Sequence, residues 1–262
     1  EIGNDPAAIR DFAQCAEGLG YSHLAAFDHV VGANAASRPG WSGLYNHQSA
    51  FHEVFVLFAY LAGVTTSIEF ATCVLVLPQR QTALVAKQAA ALDVLSAGRL
   101  RLGVAVGWNP VEYEALGLDF HTRGARIEEQ IALLRALWSG NPIDFEGNHH
   151  LINDAGLCPL PVQRSIPIWL GGMADVVIER VGRLADGWFP RFPGLGKRGP
   201  NSVMPIRQED PEAVMDTMRA HARAAGRDPD DIAIEGRVRL SGRSPDEWAE
   251  ELETWEALGA TH

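Results

Sequence analysis

The feature that most constrains this chain is an alternation of two periodicities. Short apolar runs, SHLAAFDHV, IEFATCVLVLP, RLRLGVAV, PIWLGG, GWFP and IAIEGRVRL, are separated by longer segments with helical spacing. The helical segments are FHEVFVLFAYLAGV, QTALVAKQAAALDVLSAG, ARIEEQIALLRALWSG, ADVVIERVGRLA, PEAVMDTMRAHARAAG and SPDEWAEELETWEALG. Strands separated by helices pair in parallel through right-handed crossovers, which leaves a closed barrel or a doubly wound sheet. The chain opens on a further helix, with Asp5 as N-cap, Pro6 at the first helical position and Ile9, Phe12, Ala13, Ala16 and Leu19 at helical spacing. It closes on LGATH, directly after its last helix. Six strands are two fewer than a barrel of eight needs. The expectation is therefore an α/β fold, a (β/α)8 TIM barrel forming one domain over 1–262, with its first and last strands missing from this sequence. A six-stranded architecture is the alternative. A hairpin insertion is predicted at about 142–153, around PIDFEGNHHLIND.

Composition narrows the partners. With 262 residues and 47% hydrophobic content, the chain can bury a full core. The formal net charge of −11 opposes binding to nucleic acid and to anionic membranes. The sequence has no apolar run long enough for a membrane span and no leader-like opening. Cys15, Cys73 and Cys158 are odd in number and far apart, which fits a reducing cytoplasm better than a disulfide framework.

In a barrel of this kind the chemistry collects where the strands end. Asp28-His29 follows the first run, where an imidazole could exchange protons with Asp28 orienting it; a loop-start Asp beside a solvated His is the plainer reading. Thr72-Cys73 places two small residues near the second exit, which suits close approach of a flat ligand or ordinary strand packing. Gly107-Trp108-Asn109 puts a glycine, an indole and an amide at the third exit, either as a pocket wall or with the Trp as a plug. LGGMAD joins a strand to a helix start, where free N–H groups could receive a phosphate, although Gly-Gly before a helix is common. Arg191, Lys197 and Arg198 offer local positive charge for an anionic tail, or simply solubilise a loop. No metal site or nucleophile triad is read; His149-His150 lie beside the hairpin, and no G-x-S-x-G or H-E-x-x-H occurs.

Taken in order, FDHVV, ATCVLVLPQRQTALVAKQAAALDVLSAGRLRLGVAVGWNPVEYEALG, RGARIEEQIALLRALWSG and PVQRSIPIWLGGMADVVIERVGRLADGW resemble the luciferase-like monooxygenase family. Within it they are most similar to the branch that uses the deazaflavin coenzyme F420. The resemblance spans nearly the whole chain. It implies a planar redox ring at the strands' C-terminal mouth, and a non-proline cis peptide behind it that aligns with Thr72–Cys73. It implies His29 as acid/base or substrate polariser with Asp28 beside it, and a phosphate turn at Gly171, Gly172, Met173 and Ala174. Trp108 stands where the sugar-phosphate dehydrogenase branch has a catalytic glutamate, which argues against that substrate. Gly107, Trp108 and Asn109 are then part of the ring pocket's wall, with the glycine admitting the cofactor.

The activity so implied is hydride transfer between F420 and a small organic substrate. The alternatives are a monooxygenase using flavin mononucleotide (FMN), which would require a separate flavin reductase, and a non-catalytic flavin-binding protein. A homodimer is expected from the apolar helices. Loops 30–50 and 190–208 carry no recognisable substrate motif.

Overall fold

The computed structural model describes residues 3–192 and 210–262, which form two compact units, Glu1–Pro167 and Ile168–His262. Lys197 and Arg198 lie outside the described residues.

The first unit begins with α1 (Pro6–Gly18), whose N-cap Asp5 accepts from Ala7 N and whose proline occupies the first turn. Ile9, Ala13 and Ala16 face inward, whereas Phe12 and Leu19, expected on the same stripe, are exposed. β1 (His23–Ala26), α2 (Val54–Ala62), β2 (Glu69–Thr72), β3 (Leu75–Val76), α3 (Thr82–Leu95) and β4 (Leu100–Ala105) follow. β1 pairs with β2 and β2 with β4, all parallel, and β3 extends the contact along β4. These strands are apolar because both faces are covered: Phe70, Ala71, Leu75, Leu100, Leu102 and Val104 are essentially sealed from solvent. The single strand expected through IEFATCVLVLP is thus two. It breaks at a cis peptide between Cys73 and Val74, one bond later than the expected Thr72–Cys73. Thr72 is still a ladder residue opposite Ala26, and Cys73 N still donates to Ala26 O, so the regular strand runs through the predicted position.

After β4 come α4 (Pro110–Ala115) and α5 (Arg123–Leu137), then the expected hairpin as an antiparallel pair, β5 (Ile143–Glu146) and β6 (Leu151–Ala155). The hairpin is tied down through its turn. Glu129 of α5 accepts from Asn148 N, His149 N and His150 Nδ1, and His150 Nε2 lies 2.7 Å from Thr82 Oγ1. Those hydrogen bonds draw the Glu129 carboxyl below the ordinary value although burial opposes this. A side chain at Gly147 would collide with that carboxylate, which explains the glycine.

The second unit repeats the βα pattern: β7 (Ile168–Gly171), α6 (Asp175–Leu184), β8 (Gly187–Phe189), α7 (Pro211–Ala224), β9 (Ala233–Ile234) and α8 (Pro245–Ala257). β7, β8 and β9 pair in parallel around Trp188, Ile178, Val181 and Met215. α6 and α7 pack closely at Gly182, where an added Cβ would sit 2.7 Å from Ala222 N. β9 is shorter than the predicted run IAIEGRVRL, since its pairing with β8 covers two residues. Thr261 N and His262 N both donate to Ile234 O, and Gly236 N donates to His262 O, so the last residues run beside β9.

Candidate active site at the strand exits

Because β1, β2 and β4 are parallel, the segments that leave them emerge on one edge of the first unit. His29 leaves β1, and its ring forms a triangular cluster with Tyr45 and Phe51, at centroid distances of 4.9 and 4.6 Å and with 4.8 Å between those two rings. Trp108, which follows β4, meets the same imidazole edge-on at 6.2 Å and stacks obliquely on Trp41 at 5.9 Å. His29, Tyr45, Phe51 and Asn109 line a small cleft with a volume of about 60 Å³.

The sequence reading placed Asp28 as the partner of His29, but the structure gives that contact to Glu112. Asp28 is 2% exposed and turns toward Arg80, whose Nη2 lies 2.7 Å from its Oδ1. Its Oδ2 also accepts from Val76 N at 3.1 Å. Arg80 is held on its other side by Glu53 at 2.8 Å. Burial works against the guanidinium charge, yet Asp28 and then Glu53 more than offset it and raise the Arg80 pKa above its ordinary value. Asp28 is thus part of a buried ion network that fixes the loop after β3 to the loop after β1.

Glu112 lies in the first turn of α4 and is 1% exposed. Its Oε1 is 3.0 Å from His29 Nδ1 and accepts from Val30 N at 2.9 Å, while Gln79 Nε2 reaches its Oε2 at 3.4 Å. His29 Nε2 makes no hydrogen bond among the described residues.

The remaining predicted positions have specific local roles. Asn109 is the N-cap of α4, accepting from Val111 N at 3.0 Å. Gly107 has φ +68°, and a Cβ there would lie 2.6 Å from Val76 Cγ1, so the chain itself requires this glycine. Thr72 is fully buried and donates its hydroxyl to Gly103 O at 2.7 Å, whereas Cys73 is partly exposed. The indole N–H of Trp41 is buried with no acceptor among the described residues. Neither Glu112 nor Trp41 was singled out in the sequence.

In the second unit, Gly171 pairs with Phe189 and Gly172 adopts φ +133°, with its carbonyl accepting from Trp188 Nε1. Met173 Sδ accepts from Arg191 N, and Ala174 caps α6 with no side-chain hydrogen bond to its first N–H groups. Those donors suit an anion, and Asp175 in the same turn opposes one. Among the described residues there is no cluster of three or more metal-binding side chains, and no helix is long and apolar enough to cross a membrane.

An uncharacterized protein of Mycobacterium tuberculosis (strain ATCC 25618 / H37Rv) is 39% identical over 181 residues, covering 67% of this chain and 62% of its own. Pyrimidine monooxygenase RutA of Variovorax paradoxus (strain S110) is 36% identical over 174 residues, covering 64% of this chain and 45% of its own. Among solved structures, an F420-dependent secondary alcohol dehydrogenase in complex with an F420-acetone adduct matches with a TM-score of 0.67 at 19% identity, over 88% of this chain and 64% of that one. This last likeness is one of fold. The chain spans less than two thirds of the length of these curated relatives. The family model described as luciferase-like monooxygenase matches residues 1–261, and the chain belongs to that family.

Proposed function

We propose that the protein is an oxidoreductase that passes a hydride between coenzyme F420 and a small organic substrate. The observation that carries this reading is His29: an imidazole in an aromatic cleft at a strand exit, tied at one nitrogen to a buried carboxylate and unengaged at the other. Bound F420 would accept or supply the hydride. The chain's own part is to orient the substrate against the Tyr45, Phe51 and Trp108 rings, exclude water, and hold or deliver a proton at His29 Nε2. The fit to a flat heteroaromatic group rests on the Trp41–Trp108 wall, where a buried indole N–H awaits an acceptor. Considered within the second unit by itself, the N–H groups of the Gly171–Ala174 turn are proposed to receive a phosphate.

The likeness to a pyrimidine monooxygenase favours a second reading, a monooxygenase on the same scaffold, to which we would assign FMN as the cofactor. Titrating the protein separately with F420 and with FMN, followed by fluorescence quenching, tests both. Saturable F420 binding, at least tenfold tighter than FMN, is expected; the reverse preference moves the protein to the second reading.

A further inference from the structure

We infer that the cleft beside His29 is built to hold a neutral carboxamide, the C(=O)–NH group of an amide or lactam, and that Asn109 is the residue that selects it. That the amide belongs to the substrate rests on the oxidoreductase reading above; that the cleft binds it does not. Alongside His29 and Tyr45, the polar residues Asn46, Ser49 and Asn109 line this cleft. Each of these three already commits its side-chain oxygen to a backbone N–H. Asn46 Oδ1 accepts from Gln48 N at 2.8 Å, Ser49 Oγ from Asn46 N at 3.2 Å and Asn109 Oδ1 from Val111 N at 3.0 Å. A backbone N–H can only donate, so these contacts fix which amide atom is the oxygen. They leave the NH2 groups of both asparagines and the serine hydroxyl hydrogen without an acceptor among the described residues. Asn109 is 3% exposed, so its spare donors are costly until something in the cleft accepts them.

The donors are held in place before anything binds. A Cβ at Gly32 would fall 2.2 Å from Asn46 O, so Gly32 and Asn46 touch backbone to backbone, and His47 N donates to Ala33 O at 3.0 Å beside them. Ser49 N closes the same turn onto Asn46 O at 3.0 Å. Asn109 is fixed by its capping contact at the start of α4. Donors fixed in this way take up an acceptor with little further ordering.

His29 supplies the opposite polarity. Glu112 Oε1 lies 3.0 Å from Nδ1 and a carboxylate only accepts, so Nδ1 donates and the neutral ring offers Nε2 as an acceptor beside those donors. A ligand that answers both carries an acceptor and a donor on neighbouring atoms and no charge. A carboxamide does so: its oxygen takes hydrogens from Asn109 and Ser49, and its N–H meets Nε2. A carboxylate sets acceptors against the Nε2 lone pair and adds negative charge near Glu112, itself 1% exposed, in a chain of formal net charge −11. An ammonium sets donors against donors, and an ester leaves Nε2 unanswered.

The test uses the whole chain without cofactor and four probes that share a phenyl ring: benzamide, methyl benzoate, benzoate and benzylammonium. Dissociation constants are measured by saturation-transfer NMR at neutral pH. Benzamide is expected to bind at least about fivefold tighter than each of the others. Any of the three binding as tightly as benzamide overturns the carboxamide assignment. Asn109→Asp keeps an oxygen cap for Val111 N but replaces the NH2 donors by a second acceptor. It is expected to weaken benzamide about tenfold and to reverse the order of benzamide and benzylammonium, which a purely structural role would not do. Asn109→Ser, which also caps a helix but lacks the NH2, should lose benzamide in the same way, so a folding defect in one variant leaves the other to decide. Benzamide affinity within about twofold of wild type in a folded variant overturns the role of Asn109. Repeating the benzamide titration on protein saturated with F420 should leave the affinity unchanged; displacement gives the cleft to the cofactor and overturns the substrate assignment. If F420 does not bind, the substrate assignment falls with the oxidoreductase reading, and the probe series still decides the amide site.

Discussion

Replacing Asp28 by Asn separates structure from chemistry at adjacent residues. The Asp28 carboxylate is 1% exposed at the side chain and makes a 2.7 Å contact to Arg80, a longer one at 3.4 Å to Nε, and an accepted hydrogen bond from Val76 N. Asparagine keeps an acceptor for Val76 but removes the charge facing a guanidinium whose side chain is 14% exposed. Breaking a buried pair by neutralising one partner costs about 3–5 kcal/mol when the other charge is abandoned. Here Glu53 remains at 2.8 Å from Arg80, although 37% exposed and so partly screened. The loss should therefore fall at about 2–3 kcal/mol. With a urea m-value of about 3 kcal/mol/M for a chain of this length, the unfolding midpoint drops by about 0.7–1 M. Urea titration followed by tryptophan fluorescence measures this, and the 15N spectrum of His29 in the same variant is expected to keep the wild-type tautomer. An unchanged midpoint combined with a changed His29 spectrum would refute the assignment of Asp28 to structure.

Gly107→Ala forces a side chain onto φ +68° and to 2.6 Å from Val76 Cγ1. The combined strain and crowding should cost about 2–4 kcal/mol, and adding Val76→Ala should return the crowding part; a single variant as stable as wild type in urea would contradict this. Glu17 accepts from Thr66 N, Ser67 N and Ile68 N, with its pKa lowered from 4.5 to about 2 chiefly by these backbone hydrogen bonds. A depressed carboxyl stabilises the fold above its unfolded pKa and loses that contribution as pH falls toward the folded value. Glu17→Gln should accordingly narrow its stability gap to wild type between pH 5 and pH 2, with faster amide exchange at residues 66–68 at neutral pH; a gap that is constant across this window would exclude the linkage.

What was legible in the sequence was whatever local periodicity or punctuation encodes. The βα alternation, the Asp5-Pro6 start of α1 and the hairpin near 142–153 follow from spacing and turn residues, and each is found. His29, Trp108 and Asn109 were legible because strand exits are special positions, and the fold brings them to one cleft or its wall. Glu112 was not. It lies 83 residues from His29 and occupies the third position after the N-cap Asn109, where an acidic residue ordinarily reaches back to the cap or complements the helix dipole. A local explanation was already sufficient, so nothing pointed to a distant imidazole. The Arg80 bridge between Asp28 and Glu53 is hidden for the same reason, since three charges far apart in sequence read as surface residues. The cis peptide was displaced by one bond because strand pairing persists through Thr72 and Cys73 N, a register that apolar composition does not specify.

The division between the two carboxylates follows from what else each one touches. Asp28 meets a guanidinium, so its negative charge is compensated whether or not anything binds. Glu112 meets an amide N–H, a carboxamide and an imidazole, and no guanidinium or ammonium among the described residues. The first arrangement is indifferent to protonation at His29, whereas the second places a buried acceptor against the one neighbouring group able to gain a proton. A positive charge arising on His29 is met by Glu112 at 3.0 Å in surroundings of low solvent access, where such an interaction is stronger than in water. Exchanging the roles would remove this: with a permanent cation beside Glu112, the carboxylate would have no uncompensated charge with which to meet an imidazolium. The Asp-His dipeptide at the exit of β1 is thus one residue that builds the loop followed by one that the loop presents.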